Sequence, residues 1–224
     1  MENKSALIVG ATGLVGKQIL QVLLQNNYYN QIILIGRRSV GIQDSRIKEL
    51  IFEFKEFEKY KTEISANDYY CSVGTTMKKA GSKEAFMQVD YSIPLMLAEH
   101  AKQDSIFEQF LMVSSYGANT DSALFYNKVK GKTEDALRAL NLKALLIFQP
   151  SLLLGDREEF RFFEEVAKRI SSIFSFFIIG IRLRLWAINA SDVAKAMFVI
   201  AKEKKVEGVQ IFKPLQMIRT ANSK

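Results

Sequence analysis

Short apolar runs alternate with longer stretches of helical periodicity along nearly the whole chain. The first run, "SALIVGA", is apolar almost throughout, and Leu14 to Gln25 then places its apolar residues along one helical face. Further short runs follow in "QIILIGR", "KELIFEF", "DYYCSVG", "EQFLMVSS" and "KALLIFQPSLLLG". Helical patterns separate them: "KEAFMQVDYSIPLMLAEHAKQ", with a bend expected at Pro94, and Tyr126 to Leu140. Strands that are apolar on both sides need cover on both faces, and helices must supply it. The pattern predicts an α/β fold, a doubly wound and mostly parallel sheet.

Beyond Gly155 the periodicity predicts a helix around Phe160 to Ile173, a strand in "LRLWAIN" and a helix in "ASDVAKAMFVIAKE". That helix would be capped by Asn189 or Ser191, and a last strand follows in "GVQIF". With only three prolines and no low-complexity tract, no linker is visible. Residues 1–224 read as a single domain, with 155–224 a C-terminal extension on the substrate side.

Composition narrows the chemistry. The chain has 224 residues, 48% of them hydrophobic, enough for one sound core without staples. Its one cysteine, Cys71, and one histidine, His100, exclude a disulfide framework and an ordinary His/Cys zinc site, so no metal is expected. The N-terminus has no secretory pattern, and the reading is a reducing, cytoplasmic setting. The uncharged run from Ile170 to Ile181 is shorter than the ~20 residues a bilayer span needs, so no transmembrane segment is expected. Whether the Phe-rich 160–181 segment forms a lid, a pocket wall or a membrane-surface contact stays open, and Trp186 with Phe160 to Phe177 either lines an apolar substrate pocket or packs in the core. The net charge of +7 comes from basic residues mixed with acids, as in "FKEFEKYKTE", rather than from a stripe. Nucleic acid is not an expected partner.

The candidate chemistry sits at strand ends. The first run leads into Gly10-Ala11-Thr12-Gly13-Leu14-Val15-Gly16, a G-x-x-G-x-x-G turn opening a helix. Glycines there permit a tight turn and close backbone approach, while the helix N-terminus faces a pyrophosphate. The second run ends in Arg37 and Arg38, where an NAD site would offer an acid to the ribose hydroxyls. Two cations suit a 2′-phosphate, so NADP is expected over NAD. The fourth ends in "CSVGTT", with Val73, Gly74 and Thr75 beside the dinucleotide. The fifth ends in Ser114 and Ser115, and Tyr126 and Lys130 lie one helical turn apart in the next helix. A tyrosine beside an ammonium can do acid/base work on a carbonyl or alcohol, a serine can hold the substrate oxygen, and a nicotinamide supplies the redox chemistry.

Taken together, "GATGLVG", "CSVGTT", "FMQVDYSIPLMLAEHAK", "FLMVSSYGAN", "FYNKVKGKTE" and "QPSLLLGDRE" resemble the short-chain dehydrogenase/reductase superfamily. The resemblance is to its atypical NAD(P)-binding Rossmann-fold members, and specifically to the Tat-interactive oxidoreductase-like family. It implies that Tyr126 and Lys130 match the family's tyrosine and lysine, with the serine role on Ser114 or Ser115. It also implies that Pro150, Ser151, Leu152 and Leu153 lie beside the nicotinamide, and that Asp90 is a polar helix position supporting the site. Gln149 departs from the arginine common before that proline. The function expected is NADP-dependent hydride transfer to or from a small carbonyl or alcohol substrate. A regulatory NADPH sensor with a protein partner and a cofactor-retaining isomerase or epimerase are the alternatives. Helices flanking such a sheet often dimerise in the superfamily, which makes a homodimer a candidate.

Overall fold

The computed structural model describes residues 4–155, 187–203 and 207–223. The Phe-rich segment, its expected helix and Trp186 lie outside the described residues. Seven strands form one sheet: β1 (Ser5–Val9), β2 (Gln31–Gly36), β3 (Ile47–Ile51), β4 (Asp68–Cys71), β5 (Gln109–Val113), β6 (Ala144–Phe148) and β9 (Gly208–Phe212). The order is β3-β2-β1-β4-β5-β6-β9, and every pairing is parallel. This is the doubly wound sheet that the continuous apolar runs predict.

Alternation within each buried strand feeds two cores. Ala6 and Ile8 of β1 face the helices α1 (Leu14–Leu24), α7 (Ala190–Glu203) and α8 (Pro214–Ala221), through Ile19, Leu23, Met197 and Met217. Leu7 and Val9 face the opposite side, where Leu97 of α5 (Ile93–Gln103) and Leu137 of α6 (Phe125–Ala139) cover the sheet. Burying one such leucine or isoleucine stabilises by about 1.5–3 kcal/mol. Arg46 ties off α1, donating from its guanidinium to the carbonyls of Leu24 and Asn26, each at 2.8 Å.

Three elements differ from the pattern. The third run was expected to continue through Phe54, yet β3 stops at Ile51 and a helical turn starts at Phe54, leading into α2 (Phe57–Tyr60). The aromatics at 54, 57 and 60 have helical spacing, and Phe52 stacks on Tyr60 at 4.4 Å between centroids. The sixth run was expected to be one strand through Leu154. It divides, with β6 ending at Phe148 and β7 (Leu152–Leu154) pairing instead with β8 (Ala187–Asn189) in a separate two-stranded sheet. Pro150 has no N–H for the ladder, so the chain leaves the main sheet there. Beyond Gly155, β8 pairs with β7, β9 adds the seventh strand of the main sheet and α7 packs on α1.

The bend at Pro94 takes a specific form. α3 (Met77–Ala80) and α4 (Lys83–Met87) lead into a π turn, Gln88–Ser92, directly before α5. Proline cannot donate to the carbonyl four residues back, that of Asp90, and its ring crowds it. The wider turn relieves the crowding, and the Thr133 hydroxyl sits 2.8 Å from the freed oxygen.

Candidate functional site

The C-terminal ends of β1, β2, β4, β5 and β6 carry the expected site residues, and the glycine turn is the tightest part. Gly10 has φ +91°, and a Cβ there would stand 2.8 Å from the Ser72 backbone. A Cβ on Gly16 would overlap the Gly10 carbonyl oxygen, which instead accepts the Gly13 N–H at 2.9 Å. No side chain caps α1, so its first N–H groups are left for an anion. Thr12 is exposed and Leu14 half-buried, whereas the Val15 side chain belongs to the core and offers only its backbone. Gly155 closes the turn from the far side, since a Cβ there would overlap Leu14. This cradle fits a dinucleotide pyrophosphate.

Arg37 and Arg38 are exposed just past β2, with no ion-pair partner among the described residues. Glu49 of β3, which sequence reasoning passed over, shapes the loop behind them. Its carboxylate accepts from Ser39 Oγ at 2.6 Å and from Val40 N–H at 2.7 Å.

The centre of the site is a buried ion pair. Lys130 Nζ lies 2.8 Å from Asp90 Oδ1, with side-chain exposures of 4% and 0%. Burial alone would lower the Lys130 pKa, but Asp90, Tyr126 and Cys71 outweigh it and hold the ammonium above its ordinary range. Asp90 Oδ2 also accepts the Thr75 N–H at 2.8 Å, which pins the loop after β4. A Cβ on Gly74 would stand 3.6 Å from Asp90 Oδ1 and 3.9 Å from Lys130 Nζ, so glycine leaves open space over the pair. Val73 packs against the core. Tyr126, one turn before Lys130 on α6, is 40% exposed, with its ring edge-on to Phe86. Lys130 therefore stands one turn beyond Tyr126 as an ammonium paired with Asp90.

The two serines part company. Ser114 is buried and its hydroxyl donates to Glu134 on α6. Among the described residues Ser115 Oγ makes only a 3.2 Å contact, to the Tyr116 carbonyl. Gly131 brings their loop onto α6, because any side chain there would overlap the backbone at Asn119 and Thr120. Its place in "KVKGKTE" was the available signal. The Pro150 carbonyl accepts the Tyr116 N–H at 2.8 Å, joining the loops after β5 and β6. Ser151 Oγ is buried without a hydrogen-bond partner among the described residues, Leu152 is exposed, and Leu153 packs on the core. Gln149 is buried against Glu134.

The other reactive side chains are structural. Burial pushes the Cys71 thiol up to about 12, and His100 Nε2 lies 2.6 Å from the Ile64 carbonyl. Among the described residues no cluster can hold a metal, and no helix is long and apolar enough to cross a membrane.

Residues 6–138 match the model of the NAD dependent epimerase/dehydratase family. The chain belongs to that family. Its members are NAD(P)-dependent enzymes of the short-chain dehydrogenase/reductase type, as the motifs indicated. Protein HTATIP2 of Rattus norvegicus is 34% identical over 173 residues, covering 75% of this chain and 71% of that protein. The mitochondrial protein FMP52 of Debaryomyces hansenii is 34% identical over 211 residues, covering 91% and 90%. In fold, the chain is similar to UDP-glucuronic acid 4-epimerase of Bacillus cereus in complex with NAD, at TM-score 0.68 and 14% identity over 93% of this chain and 76% of that one. A mutated uronate dehydrogenase gives TM-score 0.69 at 12% identity, over 94% and 74%.

The cytoplasmic expectation is corrected by these relatives. The fungal proteins from Debaryomyces hansenii, Meyerozyma guilliermondii and Candida albicans are all named mitochondrial. A single cysteine can form no intrachain disulfide in any compartment, so it could not choose between the two.

Proposed function

We propose that this chain is a single-domain, NADP-dependent oxidoreductase acting on a small carbonyl or alcohol, with Tyr126 as its acid/base. The observation that carries the reading is the exposed Tyr126 one turn before the buried Lys130–Asp90 pair, beside the opening over Gly74. Gly10, Thr12, Gly13, Leu14, Val15 and Gly16 would hold the pyrophosphate, and Arg37 and Arg38 the 2′-phosphate. Val73, Gly74, Thr75, and Pro150 to Leu153 would border the nicotinamide half. When bound, the nicotinamide supplies two-electron redox chemistry at the substrate carbon.

The chain's own residues supply the rest. Tyr126 donates its phenolic proton to the carbonyl oxygen in reduction and accepts it back in oxidation. Lys130, fixed by Asp90, keeps its other N–H donors for the ribose hydroxyls and the Tyr126 oxygen. Ser115 holds the substrate oxygen, because the Ser114 proton is already donated to Glu134. The names of the fungal relatives favour a mitochondrial setting.

The family match favours a second reading, a cofactor-retaining epimerase. Incubating the purified chain with NADPH and a carbonyl panel, and separately with oxidised cofactor and chiral secondary alcohols, separates the two. Stoichiometric NADPH consumption supports the oxidoreductase, and epimerised product without net consumption supports the epimerase. Tight NADPH binding with neither outcome would mark a sensor.

A further inference from the structure

A second polar cluster is buried beneath the two loops that border the site, and the proton-transfer scheme makes no use of it. The Glu134 carboxylate, 2% exposed, accepts from the Ser114 hydroxyl and from Arg138 Nη2 at 2.8 Å. Gln149 Nε2 reaches its two oxygens at 2.7 and 2.9 Å. Gln149 Oε1 in turn accepts from Lys213 Nζ, which arrives at the junction of β9 and α8. A carboxylate only accepts and an ammonium only donates, so the charges on either side fix the orientation of the amide between them. Hydrogen bonds in such a chain polarise one another, and Lys213 thereby helps to neutralise Glu134. Ser114, Glu134 and Gln149 are the buried members of the cluster, and its two cations, Lys213 and Arg138, reach it from the surface, Arg138 being shared with Asp135.

Two members of the cluster, Ser114 and Gln149, lead directly into loops of the site. Ser114 immediately precedes Ser115. Gln149 immediately precedes Pro150, whose carbonyl accepts the Tyr116 N–H. Lys213 Nζ also stands 5.5 Å from the centroid of the Tyr116 ring.

We infer that Lys213 is a positioning residue, which through Gln149 and Glu134 sets the Ser114–Tyr116 and Gln149–Leu152 loops against each other. The inference rests on the reading above, in which these loops border the nicotinamide half and the Gly10–Gly16 turn and the arginines hold the other half.

The test compares binding of NADPH with that of 2′-phospho-ADP-ribose, which lacks the nicotinamide. Should the chain prefer NADH, the pair becomes NADH and ADP-ribose. Lys213→Met is expected to weaken NADPH roughly fivefold, the worth of one hydrogen bond. The fragment should stay within about twofold, Lys213→Arg should restore NADPH binding, and Gln149→Leu should reproduce the selective loss. Melting temperatures establish that each variant is folded. Equal weakening of both ligands, no change in either, or a Lys213→Arg that behaves like Lys213→Met overturns the inference. A wild-type chain that binds neither ligand instead removes the cofactor reading on which it stands.

Discussion

Asp90 Oδ1 lies 2.8 Å from Lys130 Nζ, and both side chains are closed to solvent. The pair joins the π turn before Pro94 to the helix that carries Tyr126. Removing one partner of such a pair leaves a buried charge uncompensated, at a cost of about 3–5 kcal/mol. Asp90→Ala should therefore lower the melting temperature sharply. The Lys130 pKa is raised in the fold, so its stabilisation is complete below the unfolded value, about 10.5, and is lost only as pH rises above it. Thermal unfolding of Asp90→Ala and wild type from neutral to alkaline pH checks both statements.

A second buried carboxylate should behave in the opposite sense to most. Burial pushes Asp68 up to about 6, against the pull of Tyr29 and Lys4. The Tyr29 hydroxyl donates to Oδ2 at 2.5 Å, while Oδ1 has no hydrogen-bond partner among the described residues. Because the folded value exceeds the unfolded one, Asp68 favours folding below about pH 4, and that contribution is lost as pH rises through 6. Asp68→Asn should therefore stabilise the chain above pH 6, by about 3 kcal/mol. It should also flatten the dependence of melting temperature on pH between about 4 and 6. A variant less stable than wild type at pH 8 would contradict this.

The glycine turn predicts a contrast between two substitutions. Gly16→Ala would place a Cβ 2.6 Å from the Gly10 carbonyl carbon and 2.8 Å from Ser72 Oγ, so the turn must open. Dinucleotide binding should fall by roughly 100-fold or more, in line with about 3 kcal/mol of overpacking. Gly41 has φ +70° but open space around it, so Gly41→Ala costs only about 1 kcal/mol of backbone strain and should leave binding intact. Calorimetric titration and thermal melts of the two variants distinguish these effects.

Arg37 and Arg38 predict cofactor preference. Replacing both with alanine should weaken NADPH by about 10- to 150-fold, the worth of one charged hydrogen bond, and leave NADH nearly unchanged. A parallel loss of both cofactors would assign the arginines to adenine or general charge instead of the 2′-phosphate.

The sheet was legible because its signal is local: apolar runs such as "SALIVGA" and "EQFLMVSS" need no tertiary information to be read as buried strands. The glycine turn and the Tyr126–Lys130 spacing were legible for the same reason. What escaped depends on contacts across the fold. Asp90 gave no sign of being the Lys130 partner until the π turn and α6 came together. The choice between Ser114 and Ser115 turns on Glu134, and Glu134 looked like one acid among many on a charged helix. The departure of Leu152–Leu154 from the main sheet was signalled only by Pro150, inside a run otherwise apolar enough for one long strand.

The central claim is that Tyr126 transfers the proton in an NADP-dependent reaction, and the direct measurement is NADPH oxidation by wild type and Tyr126→Phe across a carbonyl panel, with NADPH affinity measured alongside. The account predicts that Tyr126→Phe binds NADPH within about twofold of wild type and loses about 100-fold or more of its turnover. Undiminished turnover of the same substrate by the phenylalanine variant would contradict it.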